Sequence, residues 1–182
     1  MQPNTFMDDF ERTEFSDEIH GILGRALIIA TRFDSLCKSL AMLPNLSLAI
    51  LMPNNTLNEE QYEKMISNII KDNSNLYNSI GRLGVNTELE NILNNARKAR
   101  NEIAHSLALG LEGDIEYRGS RNIDNFILEA SELLKIIAKG DLVISALISY
   151  SNKEPIPILD EKFCTSYENE IVNWVINIHN RP

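Results

Sequence analysis

The spacing of its apolar residues constrains this chain most: they recur at three- and four-residue steps along nearly its whole length. The strongest stripe is Ile19, Ile22, Leu23, Ala26, Ile29, Ala30, Phe33, Leu36, Cys37 and Leu40. That period matches the turn of an α-helix and not the two-residue alternation of a strand. Ser16 can cap the start of this first helix, and Asp17 and Glu18 suit the positive end of its macrodipole. Pro44, followed by residues 45–55 with a second proline at Pro53, is expected to end it.

The same reading extends to the rest of the chain. Thr56-Leu57-Asn58-Glu59 has the capping-box pattern and opens a second helix with Tyr62, Met65, Ile66, Ile69, Leu76, Ile80 and Leu83 on its apolar face. Its asparagine-rich middle, 72–75, is a place for a bend or a split, and Gly84 is a stop. Thr87-Glu88-Leu89-Glu90 repeats the capping pattern. It opens a third helix, expected to run to Gly110, with Leu89, Ile92, Leu93, Ala96, Ile103 and Leu107 in its stripe. A glycine-bearing loop over 110–121 follows, with 115–118 as its candidate strand. A fourth helix is expected over 122–150, turning Phe126, Ile127, Ala130, Leu133, Leu134 and Ile137 inward, with Gly140-Asp141 where it would kink or divide. Pro155 and Pro157 mark a turn. A last helix within 161–179 carries Tyr167, Ile171, Trp174, Val175 and Ile178, with Trp174 read as a core anchor. The expected fold class is all-α: one domain over 1–182, an up-and-down helical bundle with its core in 14–150, and an extra C-terminal helix.

Composition narrows the function classes. At 182 residues the chain is long enough for one ordinary core. No apolar run approaches the roughly 18 residues of a transmembrane helix, so no membrane role is expected. Residues 1–18 carry six acids and one arginine, the opposite of a secretory or mitochondrial leader, and a cytoplasmic location is expected. Cys37 and Cys164 follow no metal spacing, and Cys37 falls on an apolar helical face, as a small core residue would. His20 and His179 have no partners at ligand spacing, so no metal and no cofactor are expected. The net charge of −9 argues against a general nucleic-acid binder, because phosphate binding needs local cations.

One short run departs from what a plain bundle needs: Arg100-Asn101-Glu102-Ile103-Ala104-His105, in the C-terminal half of the third helix. On a wheel starting at Leu89, with about 100° per residue, Ala96, Ile103 and Leu107 fall within about 40° of the stripe direction and Arg100 at roughly 20°. Asn101 and His105, an (i, i+4) pair, fall at roughly 120° to 160°, with Arg97 at about 80°. An arginine inside an apolar stripe is costly unless its charge is paired or it reaches a polar cleft. The plainer reading pairs it with an acid on the first helix, such as Asp34, and makes His105 a surface residue. The functional reading takes Arg100 as a cation for phosphate and His105 as a proton-transfer group. Arg97 and Lys98 lie one turn upstream, and Arg118 and Arg121 lie beyond the loop. They are either a confined cationic patch or a solvated face of cations suited to a helix C-terminus.

Arg100-Asn101-x-x-x-His105 resembles the R-polar-x-x-x-H motif of the HEPN domain family in its form with asparagine after the arginine. The surroundings are similar too: Ala-Arg-Lys-Ala before it, Ser106 after it, a long helix carrying it near its end, and a glycine-bearing break behind. The resemblance covers about residues 14–150 and implies a metal-independent endoribonuclease. In such an enzyme the ribose 2′-OH attacks the adjacent phosphate, leaving a 2′,3′-cyclic phosphate and a 5′-OH. His105 would be general base or acid, Arg100 would stabilise the phosphorane, and Asn101 would orient His105 or bind the phosphate. It further implies a homodimer whose composite site shares two histidines, RNA as substrate with Arg97 and Lys98 as RNA-binding residues, a defence or toxin-type role, and a possible antitoxin or regulatory partner. The alternative is a non-catalytic HEPN module for dimerisation or for nucleotide or RNA binding. One departure stands out. HEPN toxins paired with nucleotidyltransferases carry a tyrosine two positions after the histidine, where this chain has Leu107, so silencing by adenylylation is not expected.

Overall fold

The computed structural model describes residues 14–51, 58–107, 120–156 and 160–176. Among them are six helices and no strand: α1 (Glu14–Leu51), α2 (Glu59–Asp72), α3 (Leu76–Arg82), α4 (Thr87–His105), α5 (Ser120–Ser151) and α6 (Glu161–Ile176). The expected all-α class holds. The candidate strand at 115–118 and the expected helix end at Gly110 lie outside the described residues, and α4 itself stops at His105.

Asparagines start three of these helices, which corrects two expected starts. Asn58, not Thr56, caps α2: its side-chain oxygen accepts from Gln61 N at 2.8 Å, and Gln61 Oε1 accepts from Asn58 N at 3.0 Å. Asn86, not Thr87, caps α4, accepting from Leu89 N at 2.9 Å. Asn75 does the same for α3 through Tyr77 N at 2.9 Å. Each short side chain satisfies a backbone donor that the first turn leaves without a partner. The split expected at 72–75 is real. Asn73 is buried there, donating to Ile69 O at 2.9 Å and accepting from Arg82 Nη1 at 3.1 Å, which closes the α2–α3 corner. Gly84, at φ +63°, then turns the chain into α4.

Two expected breaks do not occur. Pro44 lies inside α1, which continues to Leu51. A proline's fixed φ is itself helical, and the residues beyond, Leu46-Ser47-Leu48-Ala49-Ile50-Leu51, are mostly good helix formers. Its cost is therefore one lost hydrogen bond and local crowding, not termination. Gly140-Asp141 also leaves α5 unbroken. Gly140 is buried, and a Cβ built there would stand 2.4 Å from Ala96 Cβ and 2.9 Å from the Phe33 ring. Glycine is there for the close approach of three helices.

That contact sits in a continuous apolar cluster to which α1, α3, α4, α5 and α6 all contribute. Its fully enclosed members include Phe33, Ile80, Leu93, Leu134, Ile137 and Val175. The most extensive helix contact is α4 against α5. α1 crosses α3, α4, α5 and α6, while α2 touches α1 and buries no residue of its own. Cys37 is fully buried, as expected. Trp174 is not a core anchor: it is 52% exposed, and its neighbour Val175 takes the buried position. Arg25 Nε donates to Val175 O at 2.8 Å, tying the end of α6 to α1 with this face inward. Tyr167 is half-buried because its hydroxyl donates to Asp141, which also accepts from Arg32 Nε at 3.1 Å. Among the described residues no helix is long and apolar enough to cross a membrane.

Gly140→Ala tests the three-helix contact. Overpacking costs about 1–3 kcal/mol and outweighs a helix-propensity gain of about 1 kcal/mol, since Ala96 Cβ has no rotamer with which to yield. Urea unfolding should show a net loss of about 1–2 kcal/mol; equal or greater stability would overturn this reading.

Candidate active site

The motif occupies the last two turns of α4, whose inner face is still packed in the core. Ala99 and Ile103 are buried in these turns, and Leu107, just past the helix end, is only 4% exposed. Ser106 N and Leu107 N both donate to Glu102 O at 2.8 Å. The helix is thus closed by its own backbone and pinned by Leu107, which fixes the height and direction of His105.

The three motif residues have different surroundings. Arg100 lies in the seam between α4 and α1, its side chain 27% exposed, and Nη2 reaches Asp34 Oδ2 at 3.2 Å. Its Nη1 donates to Asn101 Oδ1 at 3.2 Å, so the arginine is held from two sides. Asn101 is half-buried, with its amide nitrogen left as a donor. His105 is exposed, and among the described residues it makes no hydrogen bond or ion pair. The ion pair with Asp34 is the plainer of the two fates open to Arg100 from its sequence.

Asp34 lies almost wholly inside, its side chain 11% exposed. Oδ2 accepts from Arg100 and, at 2.9 Å, from Lys38 Nζ. Oδ1 is buried and, among the described residues, has no partner. An orphaned buried acceptor costs about 1–3 kcal/mol, more than an optimised structural pair would retain. Cys37, three residues farther along α1, feels this carboxylate. Burial first, then the charges of Asp34 and Asp141, push its thiol up to about 12. Tyr167 is raised to about 12 by burial and by its bond to Asp141.

Arg97 and Lys98 have different neighbours. Arg97 turns toward α3, its guanidinium carbon 5.3 Å from the centre of the Tyr77 ring, and donates to Asn94 Oδ1 at 3.2 Å. That contact gives the cation a partner within its own fold. Lys98 points the other way, into an open groove of about 400 Å³ between α4 and α5, with Glu102 and Lys139 around a floor of Ile92, Leu133 and Ile136. Neighbouring residues on a helix diverge by about 100°, and here that separates the two cations. The side chains of Arg118 and Arg121 lie outside the description, as does His179; His20 is exposed. Among the described residues, no three His, Cys, Asp or Glu side chains gather as a metal site would require.

Sequence reasoning named Asp34 as a possible partner but missed Lys38. The signal was present: an acid four residues before a lysine on one helix is a favourable pair. The Asp141, Arg32 and Tyr167 group was also missed, because its members come from three helices. No protein-family model, curated protein or solved structure matches this chain.

Two measurements probe this arrangement. Arg100→Met leaves Asp34 with Lys38 alone and should cost about 1–2 kcal/mol in urea unfolding, while His105→Ala should stay within about 0.5 kcal/mol of wild type. Equal effects would mean that Arg100 and His105 do not differ as described. The second concerns pH. The Cys37 thiol keeps its proton to about 12 in the fold, against 9.0 ordinarily, so the folded state binds that proton more tightly. The associated stability is complete below about pH 9 and is lost as pH rises toward 12. Cys37→Ala should flatten the alkaline fall in the urea midpoint, with Tyr167 supplying what remains; an unchanged slope would remove Cys37 from the account.

Proposed function

We propose that this chain is a metal-independent endoribonuclease of HEPN type, a helical bundle acting in the cytoplasm as a homodimer. The observation that carries the reading is the division of labour within Arg100-Asn101-x-x-x-His105. One end is a guanidinium held in place by Asp34 and Asn101, and the other is an exposed imidazole with no partner among the described residues. A fixed cation suits charge that develops on a phosphate, because it need not reorganise during the reaction. A free imidazole suits proton transfer, since its ring nitrogens are not committed to structure.

In the proposed reaction one histidine takes the proton of a ribose 2′-OH. The 2′-oxygen forms a bond to the adjacent phosphorus, and the P–O5′ bond breaks. Arg100 stabilises the negative charge on the phosphorane oxygens, with the Asn101 amide as a further donor. The departing O5′ needs a proton. One chain carries one motif histidine, so a second copy supplies the other, and His105 at the exposed end of α4 is open to meet it. The products are a 2′,3′-cyclic phosphate and a 5′-OH. A defence or toxin-type role, with an antitoxin or other regulator, is the biological setting we infer.

A second reading, a non-catalytic module for dimerisation or for nucleotide or RNA binding, is favoured by two observations. The ion pair with Asp34 gives Arg100 a structural role, and the net charge of −9 opposes extended RNA contact.

Cleavage of varied single-stranded RNAs in EDTA separates the two. Wild type should release 2′,3′-cyclic phosphate ends, and His105→Ala should lose about 10²–10⁴-fold in rate. Light scattering at micromolar concentration should give a dimer. Equal cleavage by the two proteins, or none by a folded wild type, sinks the nuclease reading.

A further inference from the structure

The Arg100–Asp34 pair has a third member. Lys38, one turn beyond Asp34 on α1, donates from Nζ to the same Oδ2, at 2.9 Å, that Arg100 Nη2 reaches at 3.2 Å. Two cations from two helices thus converge on one carboxylate oxygen, and Asn101 joins them through Arg100 Nη1. The side chains of Lys38 and Arg100 are 26% and 27% exposed, against 11% for Asp34, so the cations and not the carboxylate face water. An ordinary (i, i+4) helix pair neutralises its lysine. Here one carboxylate is shared between two cations, and the group is net positive in a chain whose net charge is −9.

This is donor chemistry suited to a tetrahedral oxyanion. A guanidinium offers five N–H groups and an ammonium three, and Asp34 and Asn101 take up only part of that capacity. A carboxylate seated on such donors occupies hydrogen bonds that a phosphodiester oxygen would otherwise accept. We propose that Lys38 is a second phosphate-binding residue, that Lys38, Arg100 and Asn101 together hold one backbone phosphate of a single-stranded nucleic acid, and that Asp34 both orients the two cations and competes with the phosphate for them. The choice of polyanion rests on the ribonuclease reading; the binding itself does not require catalysis. Among the described residues Oδ1 of Asp34 has no partner, so Oδ2 alone ties the carboxylate to the two cations.

The test uses the full chain and a fluorescent, uniformly 2′-deoxy oligonucleotide, which has no 2′-OH and cannot be cut by the proposed chemistry. Anisotropy titrations from low to moderate salt give both affinity and salt slope. Lys38→Ala should weaken binding several-fold and flatten the slope of log K against log salt by about 0.7, as expected for one lost phosphate contact on a single strand. Lys38→Arg should restore both. Asp34→Asn, nearly isosteric and uncharged, should bind more tightly than wild type. Lys162→Ala, at an exposed lysine on α6, should change neither quantity. Absence of binding by wild type, or the same result for Lys38→Ala and Lys162→Ala, overturns the proposal. A folded Asp34→Asn that binds no more tightly than wild type overturns the competing role of Asp34, and should that variant not fold, the Lys38 series decides. Oligonucleotide binding through Lys38 without any RNA cleavage sinks the ribonuclease reading alone.

Discussion

The contact of Phe33, Ala96 and Gly140 sets the spacing of everything around it. With no Cβ at 140, α5 comes close enough to α4 and α1 for the Phe33 ring and the Ala96 methyl to fill the gap. The residues on either side of Phe33 then meet partners on two different helices. Arg32 reaches Asp141, which follows Gly140, and Asp34 reaches Arg100, one turn after Ala96. These two ion pairs, each joining α1 to another helix, follow from one close packing event. A side chain at 140 would separate the helices and stretch both pairs at once.

The two carboxylates that flank this contact differ in how completely they are satisfied. Asp141 is fully enclosed but accepts from Tyr167 and Arg32 on both oxygens, which is how a buried charge persists in a stable core. Asp34 is nearly as enclosed, yet two cations crowd one of its oxygens while the other has no partner among the described residues. One arrangement looks inward and joins α1, α5 and α6. The other lies at the edge of the α1–α4 seam, where a quarter of each cation meets solvent. A purely structural pair at that seam would gain by satisfying both oxygens, and this asymmetry links the packing to the proposed anion chemistry.

The periodicity of apolar residues was enough to read helices and most of the core: Phe33, Cys37, Ile80, Leu93, Ala96, Leu134 and Ile137 are buried as their spacing requires. Helix boundaries were less legible, because capping competes between neighbouring polar residues. Threonine lies two residues before Asn58 at α2 and directly after Asn86 at α4, and it is the side-chain oxygens of Asn58 and Asn86 that accept from the open backbone donors. Pro44 was misread because local rules weigh one residue, whereas the helix formers after it carry α1 on. Trp174 was misread because α6 has apolar residues on more than one face, and only docking on α1 and α5 selects Val175 as the buried one.

The motif shows the same division. The sequence by itself determined that Arg100 lies on the inward stripe of a helix and His105 off it, since a fixed turn angle settles the relative directions of residues in one element. Only the tertiary structure decided that Asp34 and Lys38 share the seam with Arg100, that Tyr77 engages Arg97, and that Asp141 is enclosed beside Gly140. These are contacts between residues distant in the chain. They depend on how closely helices approach and at what angle, quantities set by side-chain volumes at a few crossing points and not by the period of any one helix.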